Sequence, residues 1–158
     1  MKILNFGSIN IDHVYTVDHF VRPGETMNSE QYSRFAGGKG FNQSVALGYA
    51  GASVYHAGKV GADGAWLIDF LKACGVNTRH ILSSTQATGH AMIQVTTAGE
   101  NSIILSGGAN QDISESEAAS IISQFDAGDY LLLQNEISAT NEIMHLAHAQ
   151  GMKIAINP

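Results

Sequence analysis

Asn10 and Asp12 stand two residues apart, directly after an apolar run from Ile3 to Ile9. In extended backbone, alternate side chains share a face. This amide and carboxylate therefore project together and can grip neighbouring hydroxyls. The same residue types also close Asx turns on their own backbone. Further along, Gly37-Gly38-Lys39-Gly40-Phe41-Asn42-Gln43 places three glycines around one lysine and runs straight into a helix-compatible stretch ending at Ala50. Glycine lets the backbone turn sharply and lets a ligand approach peptide N–H groups, and a helix N-terminus offers unpaired donors and a positive dipole end. Such a turn can hold hydroxyls or anions. Equally, it can be a tight turn with a helix packed close behind it. Glu136, just past the apolar Tyr130-Leu131-Leu132-Leu133, is the third candidate. A buried carboxylate needs solvent or a partner; a polyhydroxyl ligand, or a helix opening near Ser138, would supply one.

Several other chemistries are excluded or disfavoured. A nucleotide P-loop requires Gly-x-x-x-x-Gly-Lys followed by Ser or Thr; here Ser33 stands at the first glycine position and Gly40 follows Lys39. No Gly-x-Gly-x-x-Gly follows the first strand, so the dinucleotide fingerprint is missing. Glu142 and His145 have the Glu-x-x-His spacing of di-metal bundles, but a second copy and partner glutamates are lacking, and His145 and His148 are expected on the solvent side of their helix. No metal site is assigned. There is no Gly-x-Ser-x-Gly elbow. Cys74, the single cysteine, lies on an apolar helical face and reads as buried and inert.

The elements that must position these residues alternate as βα units. Ile3 to Ile9 reads as a buried strand of parallel type. His13 to Val17 and Gln31 to Phe35 alternate in polarity and read as half-exposed strands, with a turn at Arg22-Pro23-Gly24-Glu25. Ala52 to Val60 is a strand. Asp63 is expected to cap a helix whose apolar face is Trp66, Leu67, Phe70, Leu71 and Cys74, with Gly75 as its stop. Gly89 to Thr97 and Ser102 to Leu105 form a hairpin around Ala98-Gly99-Glu100-Asn101, which can join the earlier half-exposed strands as a flap. Ser114-Glu115-Ser116-Glu117 is a capping box ahead of Ala118, Ile121, Ile122 and Phe125. Tyr130 to Leu133 is a buried strand, Ser138 opens a helix ending at Gly151, and Lys153 to Ile156 is a last strand. The pattern predicts an α/β fold around a parallel sheet, interrupted by flap strands.

With 158 residues, 44% hydrophobic and 14% charged, the chain has the composition of about one folded domain. Its net charge of −6, with eight scattered Lys and Arg, argues against nonspecific nucleic-acid or anionic-membrane binding. No apolar stretch approaches the roughly 20 residues of a membrane helix, and the N-terminal apolar run is too short for a signal peptide. A lone cysteine fits a reducing cytoplasm.

The stretches Gly7-Ser8-Ile9-Asn10-Ile11-Asp12, Pro23-Gly24-Glu25-Thr26, Gly37-Gly38-Lys39-Gly40-Phe41-Asn42-Gln43 and Gly107-Gly108-Ala109-Asn110 together resemble, in order and spacing, the N-terminal half of the ribokinase-like (pfkB) sugar kinases, and most of all the ribokinase branch. The resemblance covers essentially the whole chain. It implies a doubly wound (Rossmann-like) parallel sheet with a small β-sheet lid, residues 1–158 being the N-terminal part of one domain and the lid strands falling near 13–17, 31–35, 89–97 and 102–105. It implies ATP-dependent phosphorylation of a sugar primary hydroxyl, ribose or a related sugar, and a lid that often pairs two subunits into a homodimer. The sugar contacts it implies fall on Asn10, Asp12, Gly37, Gly38, Lys39, Asn42 and Glu136, with His90 and Met92 as lid residues that bear on sugar choice. A nucleoside, fructose or another sugar is the alternative substrate. The family's general base, its anion hole and most contacts to ATP, Mg²⁺ and a monovalent cation belong to a C-terminal half absent here, so no catalytic residue is assigned. The chain alone is expected to be inactive and to self-associate. A noncatalytic sugar-binding or dimerising module is the remaining alternative.

Overall fold

The computed structural model describes residues 1–158. In chain order its strands are β1 (Ile3–Phe6), β2 (Asn10–Val17), β3 (Gln31–Gly37), β4 (Val54–Val60), β5 (Asn77–Ser83), β6 (Gly89–Thr96), β7 (Asn101–Ser106), β8 (Tyr130–Gln134) and β9 (Lys153–Asn157). Its helices are α1 (Lys39–Tyr49), α2 (Ala65–Ala73), α3 (Glu115–Ile122) and α4 (Thr140–Ala149), with 3₁₀ turns at Ala62–Gly64 and Gly108–Gln111. No helix is long and apolar enough to cross a membrane.

Two sheets result. The first, ordered β5-β4-β1-β8-β9, is parallel throughout, with Ile3 level with both Val54 and Tyr130, and Phe6 level with Ala57 and Leu133. A parallel strand flanked by helices is buried on both faces, and the pleat divides its side chains between two cores. Leu4, Phe6, Leu131 and Leu133 pack with Ala118, Ile121 and Ile122 of α3 and Ile143 and Ala147 of α4. On the opposite face Val54 and Val60 pack with Phe41 of α1 and Leu67 and Leu71 of α2. Helices on both faces of a parallel sheet make the fold a doubly wound α/β domain. The chain adds strands to one side of β1 and then, at β8, to the other. The order therefore reverses between β1 and β8, and the crevice beyond their carboxyl ends is where such sheets hold ligands.

The second sheet, ordered β3-β2-β6-β7, is mixed: β2 and β6 run parallel and the outer strands antiparallel. The chain enters it between β1 and β2, leaves it from β3 into α1, re-enters at β6 and leaves again after β7. All four crossings lie beyond the carboxyl ends of the parallel strands, the re-entry into β6 bonding to the segment after β4 at Val60, Gly61 and Asp63.

Several local expectations are corrected. The first strand stops at Phe6 and the second already begins at Asn10, so Asn10 and Asp12 belong to the second sheet rather than to the end of β1. Strand β5 fills a stretch read from the sequence as having no element; it opens with the polar Asn77-Thr78-Arg79 and pairs along one edge only. Asp63 does not cap α2. It lies in the 3₁₀ turn and accepts from the N–H and hydroxyl of Thr88, while Gly64 occupies the cap position. Ser138 does not open α4 either. Its backbone N–H and its hydroxyl reach back to Asn110 and Ile113, and α4 begins after Ala139, which takes a left-handed φ of 57°. The capping box at Ser114 and Glu117 forms as read, with both reciprocal bonds.

Candidate functional site

A cavity of about 370 Å³ opens between the two sheets and is lined by Asn10, Asp12, Gly38, Lys39, Asn42, Ala91, Ile93, Ile103, Leu105 and Glu136. Each side chain arrives there for a local reason. Asn10 and Asp12 share one face of β2 by strand periodicity. In the register Asn10 is level with Gly89, Asp12 with Ala91 and Val14 with Ile93, and on the next strand Leu105 pairs with Ala91 and Ile103 with Ile93. Polar groups of β2 and apolar groups of β6 and β7 thus share one surface. Lys39 and Asn42 lie one helical turn apart on α1, and Glu136 follows β8.

The glycines act by close packing. Gly38 takes a φ of 96°, and a Cβ there would come within 2.9 Å of the Ser8 carbonyl oxygen. A Cβ on Gly40 would strike the backbone of Gly7 and Ser8, and one on Gly37 would strike the Asp12 carboxylate. Gly37 therefore does not line the cavity; it leaves room for the carboxylate that does.

The first N–H groups of α1 are already bonded. Lys39 donates to Glu136 Oε2 at 3.2 Å, Gly40 to Ser8 Oγ at 3.2 Å and Phe41 to the Ser8 carbonyl at 2.8 Å. The Ser8 hydroxyl in turn donates to Glu136 Oε2 at 2.6 Å, and Lys39 Nζ stands 3.7 Å from Glu136 Oε1. Glu136 thus meets a helix N-terminus, but that of α1 rather than the helix near Ser138. This helix end is consequently not an open anion site. The cavity carries two carboxylates against one ammonium. Burial is the leading cause that lifts the Asp12 carboxyl above its usual range; nearby His13 opposes the shift and the Glu136 charge adds to it. Neutral hydroxyls match this surface better than phosphate does.

Beneath the turn lies a buried polar network. Asn5 Nδ2 donates to the Gly40 carbonyl and to Ser44 Oγ, both at 2.7 Å; Ser44 Oγ meets His56 Nδ1 at 2.7 Å, and His56 Nε2 meets the Gly7 carbonyl at 3.2 Å. The carbonyl requires Nε2 to carry the proton, so Nδ1 accepts from Ser44 and the imidazole is neutral. Burial pushes its pKa down to about 4.

The structure gathers Asn10, Asp12, Gly38, Lys39, Asn42 and Glu136 around one space. It does not bring His90 and Met92 there: alternation along β6 turns them to the far face, where His90 meets His13 edge-on and Met92 lines a separate cavity with Tyr15 and Val17. Ala91 and Ile93, their neighbours, face the site instead. Sequence reasoning also missed Ser8 and Asn110. Asn110 is buried at 2% exposure and bonded to Ile9 and Asn10. Its one signal was its place after two glycines in Gly107-Gly108-Ala109-Asn110.

Residues 1–158 match the profile of the pfkB family carbohydrate kinases. Ribokinase of Haemophilus influenzae is 39% identical over 157 residues, covering 96% of this chain and 51% of that protein. Ribokinase of Bacillus subtilis is 35% identical over 161 residues, covering 99% of this chain and 55% of that protein. Among solved structures, ribokinase from Thermotoga maritima matches with a TM-score of 0.86 at 31% identity, over 99% of this chain and 52% of that one. Arabidopsis thaliana ribokinase complexed with ribose and ATP matches with a TM-score of 0.83 at 27% identity, over 98% and 52%. The chain spans about half the length of the curated relatives it matches.

Proposed function

Because this chain belongs to the pfkB family of carbohydrate kinases, we propose that it supplies the sugar site of an ATP-dependent kinase that phosphorylates a primary hydroxyl of ribose or a closely related sugar. The observation that carries this reading is the cavity at the switch point. It pairs a polar floor of Asn10, Asp12, Lys39, Asn42 and Glu136 with an apolar roof of Ala91, Ile93, Ile103 and Leu105. A monosaccharide has the same division, hydroxyls around its rim and C–H groups on its faces, and the volume is within the range of small-ligand sites.

In this reading Asp12 accepts from sugar hydroxyls, Asn10 and Asn42 add amide hydrogen bonds, and Lys39 donates. Gly38 lets the sugar lie close to the backbone, and Gly37 keeps the Asp12 carboxylate in place. Glu136 fixes the mouth of α1 and closes the far side. The second sheet, residues 10–17, 31–37, 89–96 and 101–106, acts as a lid. Binding in this way orients a hydroxyl and excludes water, which is how positioning contributes to phosphoryl transfer. Cavity and α1 do not fit a triphosphate, since two carboxylates line the space and the helix N–H groups are already bonded. ATP, Mg²⁺ and any monovalent cation are therefore assigned to the part of the relatives that this chain does not span, and no chemical step is derived through them.

The same lid exposes Tyr32, Phe35, Ile104 and Leu105. Of these, Tyr32 and Ile104 lie on the face turned away from the cavity, with the part-exposed Met92 beside Ile104, and that face supports pairing of two copies through the lid in the assembled enzyme, which acts in the cytoplasm. The test is an ADP-release assay on the full-length protein carrying this chain, with ATP, Mg²⁺ and, in turn, D-ribose, D-fructose and adenosine. Saturable, sugar-dependent turnover with D-ribose as the best substrate is the expected result. Turnover on none of the three overturns the reading, and preference for adenosine or fructose moves the substrate while keeping the reaction.

A further inference from the structure

Asn110 sits in the 3₁₀ turn after the lid's last strand, behind the residues that line the cavity and almost fully buried at 2% exposure. Its Oδ1 accepts from the Ile9 N–H at 3.0 Å. An amide has one acceptor end and one donor end, so this bond fixes which way round the side chain lies. Its Nδ2 then donates to the Ile9 carbonyl at 3.2 Å and to Asn10 Oδ1 at 2.7 Å. The orientation passes on to Asn10. With Oδ1 held by Asn110, the group Asn10 can offer to the cavity it lines is Nδ2, which has no hydrogen-bond partner within the chain. A separate element makes room for this contact. A Cβ on Gly89, at the start of β6, would collide with Asn110 Nδ2 and lie 2.5 Å from Asn10 Oδ1.

We propose that Asn110 is a positioning residue for sugar selection, holding Asn10 as a hydrogen-bond donor to the ligand beside the acceptor carboxylate of Asp12. The site is thereby polarised: one hydroxyl must accept from Asn10, while another donates a hydrogen bond to the Asp12 carboxylate. This rests on the sugar-site reading above and deepens it. A sugar lacking the hydroxyl that Asn10 serves leaves the amide unpaired, and a site built to hydrogen-bond a hydroxyl rejects analogues without it. If Asn110 merely tied two loops together, its loss would weaken binding of every ligand alike.

The experiment uses the full-length protein carrying this chain, as wild type, Asn110→Ala and Asn110→Asp. It measures kcat and KM for D-ribose and for ATP, and kcat/KM for 2-deoxy- and 3-deoxy-D-ribose. For Asn110→Ala the expected result is a ribose KM raised about tenfold, an ATP KM within about twofold of wild type, and a tenfold fall in discrimination against one of the deoxy sugars. Asn110→Asp still accepts from the Ile9 N–H but can donate neither to Asn10 nor to the Ile9 carbonyl. It draws Asn10 Nδ2 toward itself and turns Oδ1 into the cavity, so the same fall in discrimination is expected with the Ile9 N–H bond retained. If the alanine variant does not fold, the aspartate variant decides. Unchanged deoxy-sugar discrimination in the aspartate variant, whether ribose KM moves or not, overturns the inference while wild-type turnover of ribose leaves the sugar-kinase reading standing. A wild-type protein that phosphorylates none of these sugars overturns both.

Discussion

In the parallel sheet Leu4, Leu131 and Leu133 are fully buried, whereas in the second sheet Ile104 and Leu105 are each 66% exposed. Both sheets are rich in aliphatic residues, so composition alone does not separate them. The difference lies in what covers them. Helices cover both faces of β1 and β8 and complete two cores, while the second sheet faces the cavity on one side and is held at its base by Ile11 and Ala36, which reach the core around Phe41, and by polar ties. Thr88 bonds to Asp63, and Asn110 bonds to Ile9 and Asn10. A sheet fixed by its core gives a rigid frame; a sheet fixed at one edge leaves its apolar face free for a ligand or another copy.

The comparison can be broken by substitution. Leu131→Ala removes side-chain volume from the middle of the frame and is expected to cost about 2–5 kcal/mol in urea unfolding. A smaller but still large effect should come from pH. The His56 imidazole is buried and neutral, with its pKa held down at about 4 against an ordinary value near 6.5. Its depressed folded-state pKa means that the unfolded chain takes up the proton first. The stability from this residue is complete above pH 6.5 and is lost as pH falls toward 4, by about 3 kcal/mol. His56→Gln should lack that loss, read as the difference between wild-type and variant unfolding curves at pH 7 and pH 4. Parallel pH profiles would remove His56 from the frame's network. The smallest effect belongs to the second sheet: Ile104→Ala should change stability by about 0.5 kcal/mol or less. A cost close to that of Leu131→Ala would show that the exposed sheet is part of a core after all.

What was legible in the sequence follows the same division. The frame could be read because Tyr130-Leu131-Leu132-Leu133 is a continuous apolar run and Ser114 with Glu117 spells out its cap locally. Strand β5 could not, because an edge strand starting Asn77-Thr78-Arg79 has little apolar signal and gains its pairing from β4. In the site, Asn10 and Asp12 could be placed on one face from their spacing alone. The partners that hold the site could not, because Ser8 and Glu136 are 128 residues apart and Asn110 is 100 residues from Asn10. The roof shows an intermediate case. Alternation along β6 separates Ala91 and Ile93 from His90 and Met92, but only the pairing with β2 decides which pair faces the cavity.

The most direct measurement is a crystal structure of the full-length protein with D-ribose bound. The account places the sugar between the two sheets, with one hydroxyl accepting from Asn10 Nδ2, another group donating to the Asp12 carboxylate, and a C–H face against Ala91 and Ile93. Ribose bound elsewhere, or bound here with the Asn10 and Asp12 side chains turned away from it, would contradict the account.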